Sequence, residues 1–70
     1  MNINALKAKM VLEGISTEKL AQEIGVSKSA FYRKLNGKTE FTREEIQKII
    51  DVLRISNSDA FKIFFENQVS

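Results

Sequence analysis

Thr17-Glu18-Lys19-Leu20-Ala21-Gln22-Glu23-Ile24-Gly25-Val26-Ser27-Lys28-Ser29-Ala30-Phe31-Tyr32-Arg33-Lys34-Leu35-Asn36 is the stretch whose reading decides the fold. Leu20 with Ile24, and Phe31 with Leu35, are apolar pairs at the spacing that puts side chains on one face of a helix. Between the pairs, Gly25 permits the positive φ that a tight link of about three to four residues needs at its first position. Val26 follows to plug the corner, and the second helix begins after Ser27. Ala21 supplies a small side chain where two steeply crossed helices touch. The stretch reads as a helix over Thr17–Ile24 and another ending near Asn36, joined as a helix-turn-helix rather than a generic helical hairpin.

Outward from this unit the pattern stays helical. Upstream, a helix is expected from about Asn4 to Glu13, capped by Asn4 and closed by Gly14, with Ile3, Leu6 and Met10 on one face. Val11 and Leu12 fall off that face. Ser16 is the expected cap of the second helix, without a full capping box, because Lys19 stands where a Glu would reach back. Gly37 stops the third helix. The fourth has the clearest start: Thr42 with Glu45 forms a capping box, Phe41 and Ile46 can staple it, and Ile46, Ile49, Ile50 and Leu53 follow at core spacing. A fifth is expected over about Asp59–Gln68, capped by Ser56 or Ser58, burying Phe61, Phe64 and Phe65 and turning Ile63 outward. No segment alternates with period two and no repeat is present. The expectation is an all-α, five-helix single domain over residues 1–70.

Composition narrows the function classes. Seventy residues make one domain, and at 43% hydrophobic content the chain can fold a core. A domain this short buries only ~60% of its unfolded surface, so its stability margin is thin. Absence of cysteine removes disulfides, thiolate nucleophiles and cysteine–metal sites, and absence of histidine removes the commonest metal ligand and the usual general base. Neither a cofactor nor a metal is expected. An enzyme would need carboxylates or a lysine in a pocket, and Glu44 and Glu45 are already accounted for by capping and the helix dipole. No apolar run approaches the ~18 residues of a membrane helix, and Lys7, Lys9, Glu13, Glu18 and Lys19 interrupt any signal-peptide core. Zero cysteine suits a reducing cytoplasm.

Charge distribution is more informative than the net charge of +2. Residues 1–27 balance. Residues 28–43 carry Lys28, Arg33, Lys34, Lys38 and Arg43 against Glu40 alone, and residues 44–70 are net acidic. A basic band with an acidic segment behind it suits a polyanionic partner on one face; a solvated charge run is the alternative.

The Ala21 to Gly25 spacing, the Gly25-Val26-Ser27 link and the Leu35-Asn36-Gly37-Lys38 ending resemble the phage repressor and Cro-like helix-turn-helix proteins, the XRE family. Glu40-Phe41-Thr42-Arg43-Glu44-Glu45-Ile46 and Ile63-Phe64-Phe65 look like small Cro-like regulators of phages and prophages. The resemblance covers nearly the whole chain. It implies a lambda-repressor-like fold, double-stranded DNA as partner, and a place in a bacterial cytoplasm or nucleoid. Departures are Thr17 where many relatives carry a DNA-supporting Gln, Lys19 in place of Glu, Lys34 at an often apolar position, and Arg54 where many have Gly or Asn.

The resemblance places base-reading side chains at Lys28, Ser29 and Arg33, and the helical wheel agrees. With Phe31 and Leu35 inward, about 100° per residue turns Ser29, Ala30 and Arg33 outward, flanked by Lys28, Tyr32 and Lys34. Such a helix fits the major groove of B-DNA. Arg33 can donate twice to guanine, Lys28 can reach a guanine or a phosphate, Ser29 discriminates weakly, and Tyr32 can bond a phosphate or press on a thymine methyl. The competing readings are an ordinary solvated residue for Arg33, the lesser of its two readings, and, on even terms, a cover for the core edge for Tyr32 and a stem laid over apolar surface for Lys34. Phosphate contacts are expected from Thr17, Lys34, Asn36, Lys38, Thr39, Thr42 and Arg43, helped by the amides that open the fourth helix. About four to five neutralised phosphates would give a salt slope of roughly −4 per domain.

The expected function is a sequence-specific transcriptional regulator, a Cro-like repressor working as a homodimer on a symmetric operator. Ile63, Val69, Val52 and the rest of the fifth helix are the expected dimer surface. The competing reading is an anti-repressor or co-repressor that keeps the fold and binds another repressor protein.

Overall fold

The computed structural model describes residues 1–65, and helices are the only regular elements there. In chain order they are α1 (Ile3–Glu13), α2 (Thr17–Ile24), α3 (Lys28–Leu35), α4 (Arg43–Leu53) and α5 (Asn57–Ala60), the last continuing as a π-helical turn over Phe61–Phe65. Every α-helix starts the same way: the side chain of Asn2, Ser16, Ser27, Thr42 or Ser56 accepts the amide three residues on, at 3.1–3.2 Å. Each cap satisfies one of the orphan donors of its first turn. Thr42 alone is answered, because Glu45 Oε1 accepts the Thr42 amide at 2.9 Å and completes the capping box.

Helix ends are equally regular. Gly25, at φ +80°, donates its amide to the Gln22 carbonyl while Val26 donates to that of Ala21, a Schellman closure. The same pair of bonds closes α4, but there the left-handed residue is Arg54, at φ 54°. A side chain in that region costs ~1–2 kcal/mol, part of which a glycine returns through its more disordered unfolded state. Arg54→Gly is therefore expected to stabilise the domain by about 0.5–1 kcal/mol, a rise in Tm of roughly 3–6 °C by circular dichroism. An unchanged or lower Tm would mean that the Arg54 side chain contributes more than its strain costs.

α2 sits centrally, packed on α3 and α4, while α1 lies against α4 and the π-helical turn. Leu6, Leu20, Phe31, Ile49 and Leu53 are fully enclosed, and Ala21 is 2% exposed at the α2 crossing. Val26 packs half-buried against this core. Around Phe31, the Phe41 ring closes edge-on at a centroid distance of 5.7 Å.

Two expectations are corrected. α1 starts one residue earlier, with Asn2 as its cap instead of Asn4. Asn2 also donates its amide to the Ile63 carbonyl at 2.6 Å, so a contact with the far end of the chain selects the cap. That contact also settles the second point. Ile63 is buried, at 2% exposure, while Phe61 and Phe65 stand exposed and Phe64 is half-buried. Counting aromatics chooses the Phe61–Phe64–Phe65 stripe, whereas docking on α1 selects Ala60, Ile63 and Phe64. The expected continuation of α5 to Gln68 lies outside the described residues, as does Val69. Val11 and Leu12, off the inner face of α1, are largely exposed, at 80% and 75%.

Candidate nucleic-acid interface

α3 is held by its inner face alone. Phe31 and Leu35 are buried, and Lys28, Ser29, Tyr32 and Arg33 are exposed on the other side. Ala30, expected outward, is half-buried instead. The Arg33 side chain has no hydrogen bond or ion pair among the described residues, so its guanidinium is available to an external acceptor. Tyr32 is 43% exposed, enough for its ring to lie on the core edge with its hydroxyl in water.

Lys28 is not free. Its ammonium donates to Glu18 Oε1 at 2.9 Å across the two first turns of the helix-turn-helix. That hydrogen bond, with the opposite charges behind it, raises the Lys28 pKa and lowers that of Glu18. The pair is solvent-exposed, so exchanging Glu18 for another acceptor costs little. Glu18 is absent from the site residues expected from the sequence. Only the helix-turn-helix geometry, which sets the starts of α2 and α3 side by side, shows that residues ten apart meet.

Asn36, Lys38, Thr39, Thr42 and Arg43 lie exposed along the segment that leads from α3 into α4, and Thr17 is half-buried at the start of α2. Lys34, another of the expected phosphate contacts, is paired within the chain. Its side chain is 13% exposed, with the ammonium 3.0 Å from Glu45 Oε1 and 3.2 Å from the Glu40 carbonyl. It also lies over the Phe41 ring, 5.8 Å from the centroid. The basic band of the sequence thus divides: Lys34 is neutralised within the fold, Lys28 is paired at the rim, and Arg33, Lys38 and Arg43 face water.

Burial by itself would raise the Glu45 pKa, but the Thr42 amide, the Lys34 ammonium and the Thr42 hydroxyl outweigh it and hold the carboxyl below its ordinary 4.5. A depressed folded value means that Glu45 stabilises the fold above the unfolded pKa and stops doing so as pH falls through the folded one. Lowering pH from about 6 to about 3 should narrow the gap in urea midpoint between wild type and Glu45→Gln. A gap that stays constant over that range would exclude the linkage.

An exposed polar and cationic helix face, with a basic segment running beside it, is the form in which a helix-turn-helix presents itself to a duplex. A family model for the Cro/C1-type HTH DNA-binding domain matches residues 5–66. The chain belongs to that family. No curated protein and no solved structure matches it. As a Cro/C1-type domain it is a DNA-binding regulator module, of a family that is not typically enzymatic. No helix among its described residues is long and apolar enough to cross a membrane. The glycine that the helix-turn-helix needs, Gly25, has open space around its α-carbon, so backbone conformation and not crowding makes it necessary there.

Proposed function

We propose that this chain is a sequence-specific transcriptional regulator, a Cro-like repressor of phage or prophage type, that reads operator DNA in the major groove with α3. The observation that carries this reading is the exposed strip Lys28, Ser29, Tyr32 and Arg33 opposite the buried Phe31 and Leu35. Arg33 is the strongest reader, through a bidentate bond to guanine. Lys28 leaves Glu18 for a guanine or a phosphate, while Ser29 and Tyr32 add weaker contacts. Thr17, Asn36, Lys38, Thr39, Thr42 and Arg43 bind phosphates and set the register, with the first amides of α4 among them.

One such domain covers too little DNA for strong specificity, which favours a homodimer on a two-fold operator. Ile63 is spent on the core, so among the described residues of α5 and its π-helical turn the large apolar side chains exposed to a second copy are Phe61 and Phe65, whose ring centroids lie 6.4 Å apart. Repression then follows from occupying the site where polymerase would bind. Selection from a random duplex pool tests the whole reading. An enriched, two-fold symmetric motif with half-sites about one helical turn apart is expected. A pool without any enriched motif would overturn it.

The exposure of Val11 and Leu12 favours one second reading, in which the fold serves as an anti-repressor or co-repressor and binds another repressor protein. It predicts tight association with such a repressor and no DNA binding by the wild-type chain at moderate salt.

A further inference from the structure

The segment between α3 and α4 is anchored on the core by Phe41, whose ring meets Phe31. Among the described residues a pocket of about 570 Å³ borders it, lined by Asn36, Gly37, Thr39 and Glu40 together with Ile3 and Phe64. Away from Phe41 the segment is exposed, and Lys38, Thr39 and Thr42 ride on that exposed backbone. The third helix reaches across to it. Lys34 projects from α3 and its ammonium meets the Glu40 carbonyl at 3.2 Å and Glu45 Oε1 at 3.0 Å. Glu45 Oε1 also accepts the Thr42 amide at 2.9 Å. One carboxylate oxygen thus joins the α4 cap to α3, and one ammonium joins both to the loop. Side-chain exposures of 13% and 16% keep water from competing freely for this pair.

We propose that Lys34 is a positioning residue for DNA binding: it fixes the 36–42 segment and the start of α4 against α3 and touches no phosphate itself. The inference rests on the reading of this face as the DNA interface. Base-reading and phosphate-binding groups stand on different elements, and a rigid tie between the elements makes the two sets register on one duplex. An apolar residue at position 34 could cover Phe41 but could bind neither the Glu40 carbonyl nor Glu45.

Salt dependence separates positioning from contact. A lysine that neutralises a phosphate contributes ~0.9 to the slope of log K against log salt, and a positioning lysine contributes none. Lys34→Met keeps the apolar stem and removes the ammonium. On the selected operator it is expected to weaken binding about tenfold, by the cost of re-ordering the loop, with the slope unchanged. Without DNA, amide exchange monitored by NMR should quicken at Thr42 and stay unchanged at Leu20 in the core. Lys34→Arg, which keeps a donor for both acceptors, should recover most of the affinity. A slope smaller by about one unit would make Lys34 a phosphate contact and overturn the proposal. Unchanged affinity, or Thr42 exchange equal to wild type, would overturn it as well. If the wild-type chain bound no duplex, the reading as a DNA regulator would fall, and the exchange comparison would still decide whether Lys34 orders the loop.

Discussion

Replacing Phe31 with alanine is expected to cost about 3–5 kcal/mol, close to the whole stability that a domain of this size holds. Phe31 is fully enclosed on the inner face of α3, and its ring meets Phe41 edge-on at 5.7 Å and 68°. Truncation removes the transfer energy of a large ring, leaves a cavity, and loses an aromatic pair worth ~0.5–1.5 kcal/mol beyond its area. Partial collapse of a core this small recovers little of that. Circular dichroism at 25 °C should show loss of most helical signal, or a Tm too low to resolve. A variant that still melts cooperatively within about 5 °C of wild type would show that Phe31 does not anchor α3. Phe31→Leu fills most of the volume, so it should fold and report the milder penalty.

Arg33→Ala should leave stability within about 0.5 kcal/mol of wild type, because the side chain is exposed and has no partner among the described residues. Its effect falls on DNA. Loss of a bidentate guanine contact costs ~1–3 kcal/mol, and the preference at one operator position should relax. Lys38→Ala is the contrast: weaker binding to all sequences alike, with the salt slope reduced by about one. A titration of each variant against the operator and against single-base variants of it separates the two. Uniform weakening by Arg33→Ala, with every base preference intact, would move Arg33 from the bases to the backbone.

Much of this fold is legible in local chemistry. Ser16, Ser27 and Thr42 cap the helices that their positions announce, and Gly25 stands where the turn requires a positive φ. Phe31 and Leu35 fix most of the exposed face of α3, with Ala30 and Lys34 turned further inward than they predict. These features need only neighbours within about one helical turn, and such neighbours are written in the sequence. Failures occur where a distant partner outbids the local pattern. Asn2 replaces Asn4 because Ile63 offers it a carbonyl, and Ile63 turns inward although three phenylalanines compete for the same core.

The candidate interface divides in the same way. Ser29, Tyr32 and Arg33 are exposed as the helical wheel says, since a periodic pattern fixes which face a short helix buries. Charge counting cannot say which of the cations remain available. Glu18 lies ten residues from Lys28 and Glu45 lies eleven from Lys34, separations at which no periodicity makes side chains neighbours.

The sequence by itself determined the helix-turn-helix between Thr17 and Asn36, because spacing, caps and a single left-handed glycine act over a few residues. Only the tertiary structure decided that Lys34 is turned into the fold while Arg33, Lys38 and Arg43 face water. Which cation remains available depends on which carboxylates and carbonyls the arrangement of α2, α3 and α4 brings within about 3 Å, where desolvation makes their attraction count.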